Sequence, residues 1–289
     1  MKPAKFDYYA PSSIEEALEL LVRYDGEARV LAGGQSLVPM MNFRLATPAA
    51  IVDLNRIASM NFIRQVGDAV LIGAMTRQRT LQFSDVIRRA VPLLQAGIEY
   101  VGHLPTRSRG TIGGSIAHAD PAAEIPMVLR ALEATVLARG PQGDRTIALP
   151  DLFVGAMTTS LGSAEILTEI KVPVMPAGAG FAVKEFSRRH GDFAIAAIAA
   201  IVMQAADGHL SVRLSTGGIS AVPDRLRSAE EILEREGLTD AAIKRAADAG
   251  AEVVEPLSDQ NGSADYRREL TRTLTQRAVS EAAQRIGRS

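Results

Sequence analysis

The sequence predicts an α+β chain of two or three domains. Three observations lead there. At 289 residues the chain is longer than a single hydrophobic core usually supports. Short strand-like runs alternate with helix-period runs as far as Val172. After a stretch rich in proline and glycine, residues 173–180, the pattern changes to longer apolar strands followed by helices. The expected boundaries are 1–56, 57–176 and 177–289.

The first unit reads as strand, helix, strand, loop, helix, strand. Phe6, Tyr8 and Tyr9 form a short strand before Pro11. Ser13 and Glu16 make a capping box, and Ile14, Ala17, Leu18, Leu21 and Val22 follow with helical spacing. A strand over 29–32 runs straight into Gly33-Gly34. Residues 37–45 suit a short helix whose first turn takes Pro39, and 51–54 suits a strand.

In the second unit, 62–66 and 70–74 pair across Gly67-Asp68. Helices are expected over 81–89 and 93–101, broken at Pro92, and over 123–131. A hairpin joins 134–138 to 145–149 across 141–144, and a strand over 166–172 stops at Pro173. In the third unit, 181–186, 195–203 and 210–214 read as antiparallel strands, with a turn at Asp207-Gly208. Helices follow over 226–235 and 241–249, the latter stopped by Gly250. A long one over 266–286 has Leu270, Leu274, Ala278 and Ile286 near one face.

Composition excludes several functions. The formal net charge is −1, which gives no electrostatic case for nucleic acid. Cysteine is absent, so this chain has no disulfide, no cysteine nucleophile and no cysteine-held iron–sulfur cluster. The histidines, His103, His118, His190 and His209, lack the spacing of a zinc site. No transmembrane segment or signal peptide is evident, and the chain reads as soluble and cytoplasmic.

Two small-residue loops carry the chemistry. Leu31-Ala32-Gly33-Gly34-Gln35-Ser36-Leu37 is one. The other begins at Arg109-Gly110 and runs through Thr111-Ile112-Gly113-Gly114-Ser115 to Ala119-Asp120-Pro121. Glycine lets a ligand approach the backbone, and successive N–H groups in such a loop make an anion-binding nest. Two such loops suit one extended, doubly anionic ligand, and a dinucleotide pyrophosphate fits. Neither is a G-x-G-x-x-G fingerprint or a P-loop, so the scaffold is a different one. Arg107 and Arg109 either neutralise phosphate or are simply solvated. Asp120 and Glu124 either accept from ligand hydroxyls or mark a helix start, with Asp120 as N-cap before Pro121. His118 and Asp120 have the look of an acid–base pair, with uncoupled loop neighbours as the ordinary alternative. Strand period puts Ala182 and Lys184 on one face, and a lysine on a covered face needs an anionic partner.

These same residues, with the segment Lys184 to Asp192, resemble the FAD-binding medium subunit of molybdenum hydroxylases, the carbon monoxide dehydrogenase and xanthine dehydrogenase type enzymes. The resemblance covers essentially the whole chain. It implies a PCMH-type (vanillyl-alcohol-oxidase-like) FAD-binding domain in two subdomains, followed by a C-terminal antiparallel sheet with helices. By position, Ala32 to Ser36 and Thr111 to Ser115 would hold the FAD pyrophosphate through backbone donors, with Leu31 and Leu37 also at the cofactor. Ala119 and Asp120 would adjoin it, Glu124 would lie near the ribose end, Leu167 would pack against adenine or the flavin ring, and Lys184 would approach the flavin. The partners implied are a large molybdopterin-binding subunit with the molybdenum cofactor and a small subunit with two [2Fe–2S] clusters. This chain's FAD would take electrons from those clusters and pass them to an external acceptor, while the large subunit hydroxylates a substrate. Ser115 and the run 118–121 lean toward an N-heterocycle or related small organic molecule over carbon monoxide. The rival readings are a stand-alone PCMH-type flavin oxidase or dehydrogenase, and a non-catalytic nucleotide-binding subunit.

Overall fold

The computed structural model describes residues 1–205 and 207–287. Asp7–Tyr9, Ala50–Asp53 and Ala28–Leu31 form a parallel sheet in that spatial order. Parallel strands of one sheet require crossovers: helix Ile14–Arg23 carries the chain from one edge strand, Asp7–Tyr9, to the other, Ala28–Leu31, and the short helix Leu37–Asn42 lies on the way back to the central strand Ala50–Asp53. Ser13 caps it by accepting from the Glu16 N–H at 3.1 Å, and the Glu16 carboxylate returns to the Ser12 N–H at 2.8 Å. Its buried face is Ala17, Leu20 and Leu21, while Val22, expected there, is 51% exposed. All three strands point their carboxyl ends at the edge where the first glycine loop begins.

The second sheet is antiparallel, in the order Ile63–Val66, Ala69–Gly73, Ile166–Pro173, Thr135–Gly140, Gly143–Ala148. The second hairpin is tighter than expected. Its turn is only Pro141-Gln142, because Gly143 takes φ +107° and lets pairing start at once. Helices Gln78–Gln82, Asp85–Ala90, Pro92–Ile98, Leu104–Arg109, Ile112–His118 and Glu124–Ala131 lie between the sheet's strands in sequence. The single helix expected over 81–89 is two. Ser84 interrupts it, its hydroxyl accepting from the Ile87 N–H at 3.4 Å as a fresh N-cap.

The expected linker is tied down. Val174 donates to the Asp68 carbonyl and Met175 to the Ala90 carbonyl, both at 2.8 Å. The third sheet follows, Gly180–Phe186, Ala196–Gln204 and Leu210–Gly217, all antiparallel. Both its faces are covered. Ala197, Ala199 and Ile201 join the core shared with the first two units, whereas Ala196, Ile198, Ala200 and Val202 join a second core under helices Arg227–Glu236 and Ala264–Arg285. That accounts for the unbroken apolar run in the sequence. Helix Asp240–Val253 passes through Gly250 instead of stopping there. A Cβ at Gly250 would stand 3.3 Å from Leu226 and 3.4 Å from Ala229, so this glycine serves close helix packing.

Candidate functional site

The two glycine segments meet. Leu31 ends its strand, Gly34 turns at φ +72°, and helix Leu37–Asn42 starts immediately after Ser36. An ideal Cβ on Gly33 would stand 2.5 Å from the Arg109 carbonyl oxygen and 2.7 Å from the Gly110 Cα. Real Cβ atoms do not come that close, so only glycine lets the backbones touch. Beside this contact, a Cβ on Gly114 would stand 3.3 Å from Ala32 Cβ and 2.8 Å from Thr111 Oγ1. The N–H groups of Gly33, Gly34, Gln35 and Ser36 donate to no acceptor among the described residues. Four successive free donors at the carboxyl edge of a parallel sheet make an anion site.

The second segment differs from the nest expected of it. Residues Ile112–His118 are helical, with Thr111 as N-cap accepting from the Gly114 N–H at 3.0 Å. Ile112 donates to the Thr76 carbonyl at 3.1 Å, Gly113 to the Ala74 carbonyl at 2.9 Å, and Ser115 to the Thr111 carbonyl at 3.2 Å. The backbone donors of residues 112–115 are spent inside the chain, and the Thr111 N–H alone of this segment meets no acceptor among the described residues. What Gly110, Gly113 and Gly114 provide is flatness: a Cβ on Gly113 would lie 2.5 Å from Ala74 Cβ, and one on Gly110 would lie 2.6 Å from Gln78 Oε1.

The remaining expected residues scatter around this core. Ala119 ends the helix in the left-handed region at φ 52°. Asp120 is not the expected N-cap; its carboxylate accepts from the Ala122 N–H at 2.9 Å in a local turn, and helix Glu124–Ala131 begins after Ala123. No hydrogen bond joins His118, in the last turn of its helix, to Asp120 among the described residues. Arg107 is engaged within the chain. It donates to Gln82 Oε1 at 3.1 Å and to the Val101 carbonyl at 2.8 Å. Leu167 is only 6% exposed and belongs to the core, so it has little surface for a ring. Lys184 has the anionic partner its position demands, but that partner is Glu281 of the C-terminal helix. Residues 182 and 184 face the second core, and Val183 and Glu185 face the first. In this structure Lys184 is thus engaged by an ion pair on the strand face turned to the second core.

Glu124 is 5% exposed, and burial pushes its carboxyl up to about 7. Asp120 pushes in the same direction, while Arg107 and the residue's own backbone N–H pull the other way. Two residues that sequence reasoning missed brace the glycine contact. Asn55 donates to the Ala32 carbonyl at 2.9 Å, and Arg77 bonds both Asn55 Oδ1 and the Arg109 carbonyl. Burial and the nearby Arg109 lower the Arg77 pKa. The signal that could have found Asn55 is its place just beyond the carboxyl end of a parallel strand; for Arg77 there is none in the spacing. No group of three or more His, Asp or Glu able to hold a metal occurs among the described residues.

Comparison with known proteins accounts for this arrangement. Residues 4–175 match the FAD binding domain in molybdopterin dehydrogenase, and residues 181–282 match the CO dehydrogenase flavoprotein C-terminal domain. The chain belongs to the FAD-binding medium subunits of the molybdenum hydroxylases. The 6-hydroxypseudooxynicotine dehydrogenase complex subunit alpha of Paenarthrobacter nicotinovorans is 42% identical over 99% of this chain and 97% of its own length. The nicotine 6-hydroxylase medium subunit of the same organism is 39% identical over 99% and 100%. The solved carbon monoxide dehydrogenase from Hydrogenophaga pseudoflava matches with a TM-score of 0.96 at 37% identity, over 99% of this chain and 100% of that one. This medium subunit is thus a component of an oxidoreductase, with a PCMH-type FAD-binding domain and a C-terminal antiparallel sheet with helices. The first glycine loop fits the FAD diphosphate: it has free donors, and a Cβ would fill the contact that shapes it.

Proposed function

We propose that this medium subunit is the FAD-carrying electron-transfer component of a heterotrimeric molybdenum hydroxylase. A small subunit delivers electrons from two [2Fe–2S] clusters, and a large molybdopterin-binding subunit hydroxylates a small organic substrate. An external acceptor removes the electrons, and the complex works in the cytoplasm. The observation that carries the reading is the flush contact of Gly33 on Arg109-Gly110 beside four free N–H groups. A diphosphate needs such donors and tolerates no Cβ among them. In this reading the N–H groups of residues 33–36 hold the diphosphate. Leu31 and Leu37 frame the loop, and Glu124 accepts from hydroxyls of the bound dinucleotide. Bound FAD would supply one- and two-electron chemistry that amino-acid side chains do not. The side chains near the cradle bind and orient, and none is assigned acid–base work. Relatives named for 6-hydroxypseudooxynicotine and nicotine, at 42% and 39% identity, support an N-heterocyclic or related organic substrate for the large partner over carbon monoxide.

The test is to recover the tagged chain from its host and record an absorption spectrum and the masses of what accompanies it. Flavin bands with iron–sulfur absorbance, one large partner and one small cysteine-rich partner are expected. A flavoprotein with no partners, reducible directly by an organic substrate, would overturn the electron-transfer role.

A further inference from the structure

We infer that Asn55 and Arg77 are positioning residues for the dinucleotide. Together they hold one carbonyl from each glycine segment, and this sets the direction and spacing of the donors that meet the diphosphate. The inference rests on the reading that this cradle takes FAD.

The clamp is built from the sheet upward. Asp53 ends the central parallel strand. Its Oδ2 accepts from Tyr8 Oη at 2.6 Å on the neighbouring strand, and its Oδ1 accepts from the Asn55 N–H at 2.9 Å. Asn55 is therefore fixed before it reaches any loop. Its Nδ2 donates to the Ala32 carbonyl at 2.9 Å. Its Oδ1 accepts from Arg77 Nη2, and Arg77 Nη1 donates to the Arg109 carbonyl. One amide and one guanidinium thus connect residue 32 to residue 109.

The consequence follows from peptide geometry. In a trans peptide unit the carbonyl and the next N–H point in opposite directions. Fixing the Ala32 carbonyl on Asn55 turns the Gly33 N–H away from Asn55, into the run of free donors. The Arg109 carbonyl held by Arg77 is the same atom that limits how closely Gly33 can approach, 2.5 Å from its ideal Cβ. Arg77 also lies opposite Thr111 in an antiparallel bridge, flanked by the bond from the Gln78 N–H to the Gly110 carbonyl at 2.9 Å. Its backbone and its side chain therefore both register the second segment. The planar fork serves Asn55 Oδ1 and the Arg109 carbonyl from two separate nitrogens held in one plane; a lysine would have to reach both from a single nitrogen and without that fixed geometry.

The test uses the full chain stripped of flavin. FAD and riboflavin, which lacks the diphosphate, are titrated separately by flavin fluorescence, and the melting temperature of the stripped chain is recorded. In Arg77→Met and Asn55→Ala, FAD affinity is expected to fall tenfold or more, with riboflavin affinity and the melting temperature near those of the unaltered chain. Arg77→Lys keeps the charge and is expected to stay weak. Unchanged FAD affinity in both Arg77→Met and Asn55→Ala overturns the proposal, as does full rescue by lysine. A parallel loss of FAD and riboflavin binding, or a collapsed melting transition, makes the pair a general fold support and overturns it too. If the unaltered chain binds no FAD, or binds FAD no better than riboflavin, the cradle reading itself fails, and the positioning role goes with it.

Discussion

Glu185, on the strand Gly180–Phe186, feels the charge of Glu124, at the start of helix Glu124–Ala131, across the seam between the FAD-binding unit and the C-terminal sheet. Burial first, and then the Glu124 charge, push Glu185 up to about 8, with only the nearby Ser187 hydroxyl opposing them, and that hydroxyl donates to the Arg189 carbonyl at 3.0 Å. Glu124 is raised to about 7, chiefly by burial. Glu185 Oε2 is buried with no hydrogen-bond partner. Asp120 and Arg107 bear on Glu124 from the first unit, and Tyr100 lies near both Glu185 and Lys184.

Both folded values lie above the ordinary 4.5. The folded chain therefore binds more protons than the unfolded chain once pH exceeds that value, and stability falls as pH rises toward about 8. The contribution is complete at low pH and is lost through the folded values. The flavin-free chain is expected to melt lower at pH 8.5 than at pH 6. Glu185→Gln removes the like charge and should raise the melting temperature at pH 8.5 by about 2 °C, corresponding to ~1 kcal/mol, with little change at pH 5. An identical pH profile in the variant would contradict the coupling.

Gly33→Val drives a side chain into the Arg109 carbonyl, and the two segments must part. Flavin content of the purified chain is expected to drop at least tenfold. Gly114→Val meets Thr111 Oγ1 at 2.8 Å and Ala32 Cβ at 3.3 Å, so it costs the helix cap as well as the cradle. Gly67→Ala is the control. It has open space at φ +59° and is expected to cost about 1 kcal/mol in the hairpin turn with full flavin content. Gly33→Val with normal flavin occupancy would remove the cradle from the binding site.

Much of this fold was legible because its signals are local. The Ser13–Glu16 cap, the Gly67 turn and the Ala-rich strand over 196–204 each announce themselves within a few residues. The glycine loops were legible as a pair, but not the division of labour between them. Only three-dimensional pairing shows that Ala74 and Thr76 consume the donors of Gly113 and Ile112. Lys184 was placed on the correct strand face by its period, but that face covers the C-terminal helix, and no local pattern announces Glu281 as the partner. Asn55 and Arg77 act on carbonyls, which carry no sequence signature at all.

Lys184→Ala follows from that correction. Lys184 and Glu281 keep about 30% of their side-chain surface exposed, at 30% and 29%. Such a pair is screened by solvent and contributes less than about 1 kcal/mol. Flavin content is expected to match the unaltered chain, and the melting temperature should fall by no more than about 2 °C. Loss of flavin from Lys184→Ala would return this lysine to the cofactor site.

The units are interlocked by a buried arginine. The Arg225 side chain is 3% exposed and Glu230 is 4% exposed. Arg225 Nη2 donates to Glu230 Oε2 at 2.8 Å and Nη1 to Glu133 Oε1 at 2.9 Å, and the Leu214 N–H donates to Glu230 Oε1 at 2.7 Å. Glu133, in the left-handed region at φ 56°, leaves the FAD-binding unit to reach Arg225, and its other oxygen meets Arg213 at 3.0 Å. Glu230→Ala takes away the buried carboxylate that meets Arg225 twice and leaves that guanidinium only the half-exposed Glu133 as a charge partner and the Leu214 N–H with none, which costs about 3 kcal/mol. Glu133→Ala removes a carboxylate that is 45% exposed and leaves Arg225 paired with Glu230, so its cost is about 1 kcal/mol. Denaturant titration of the two variants distinguishes them. Equal losses would mean that Glu230 does not neutralise Arg225 in the interior, and a loss in Glu133→Ala above that in Glu230→Ala would put the stabilising contact at the seam between the units instead.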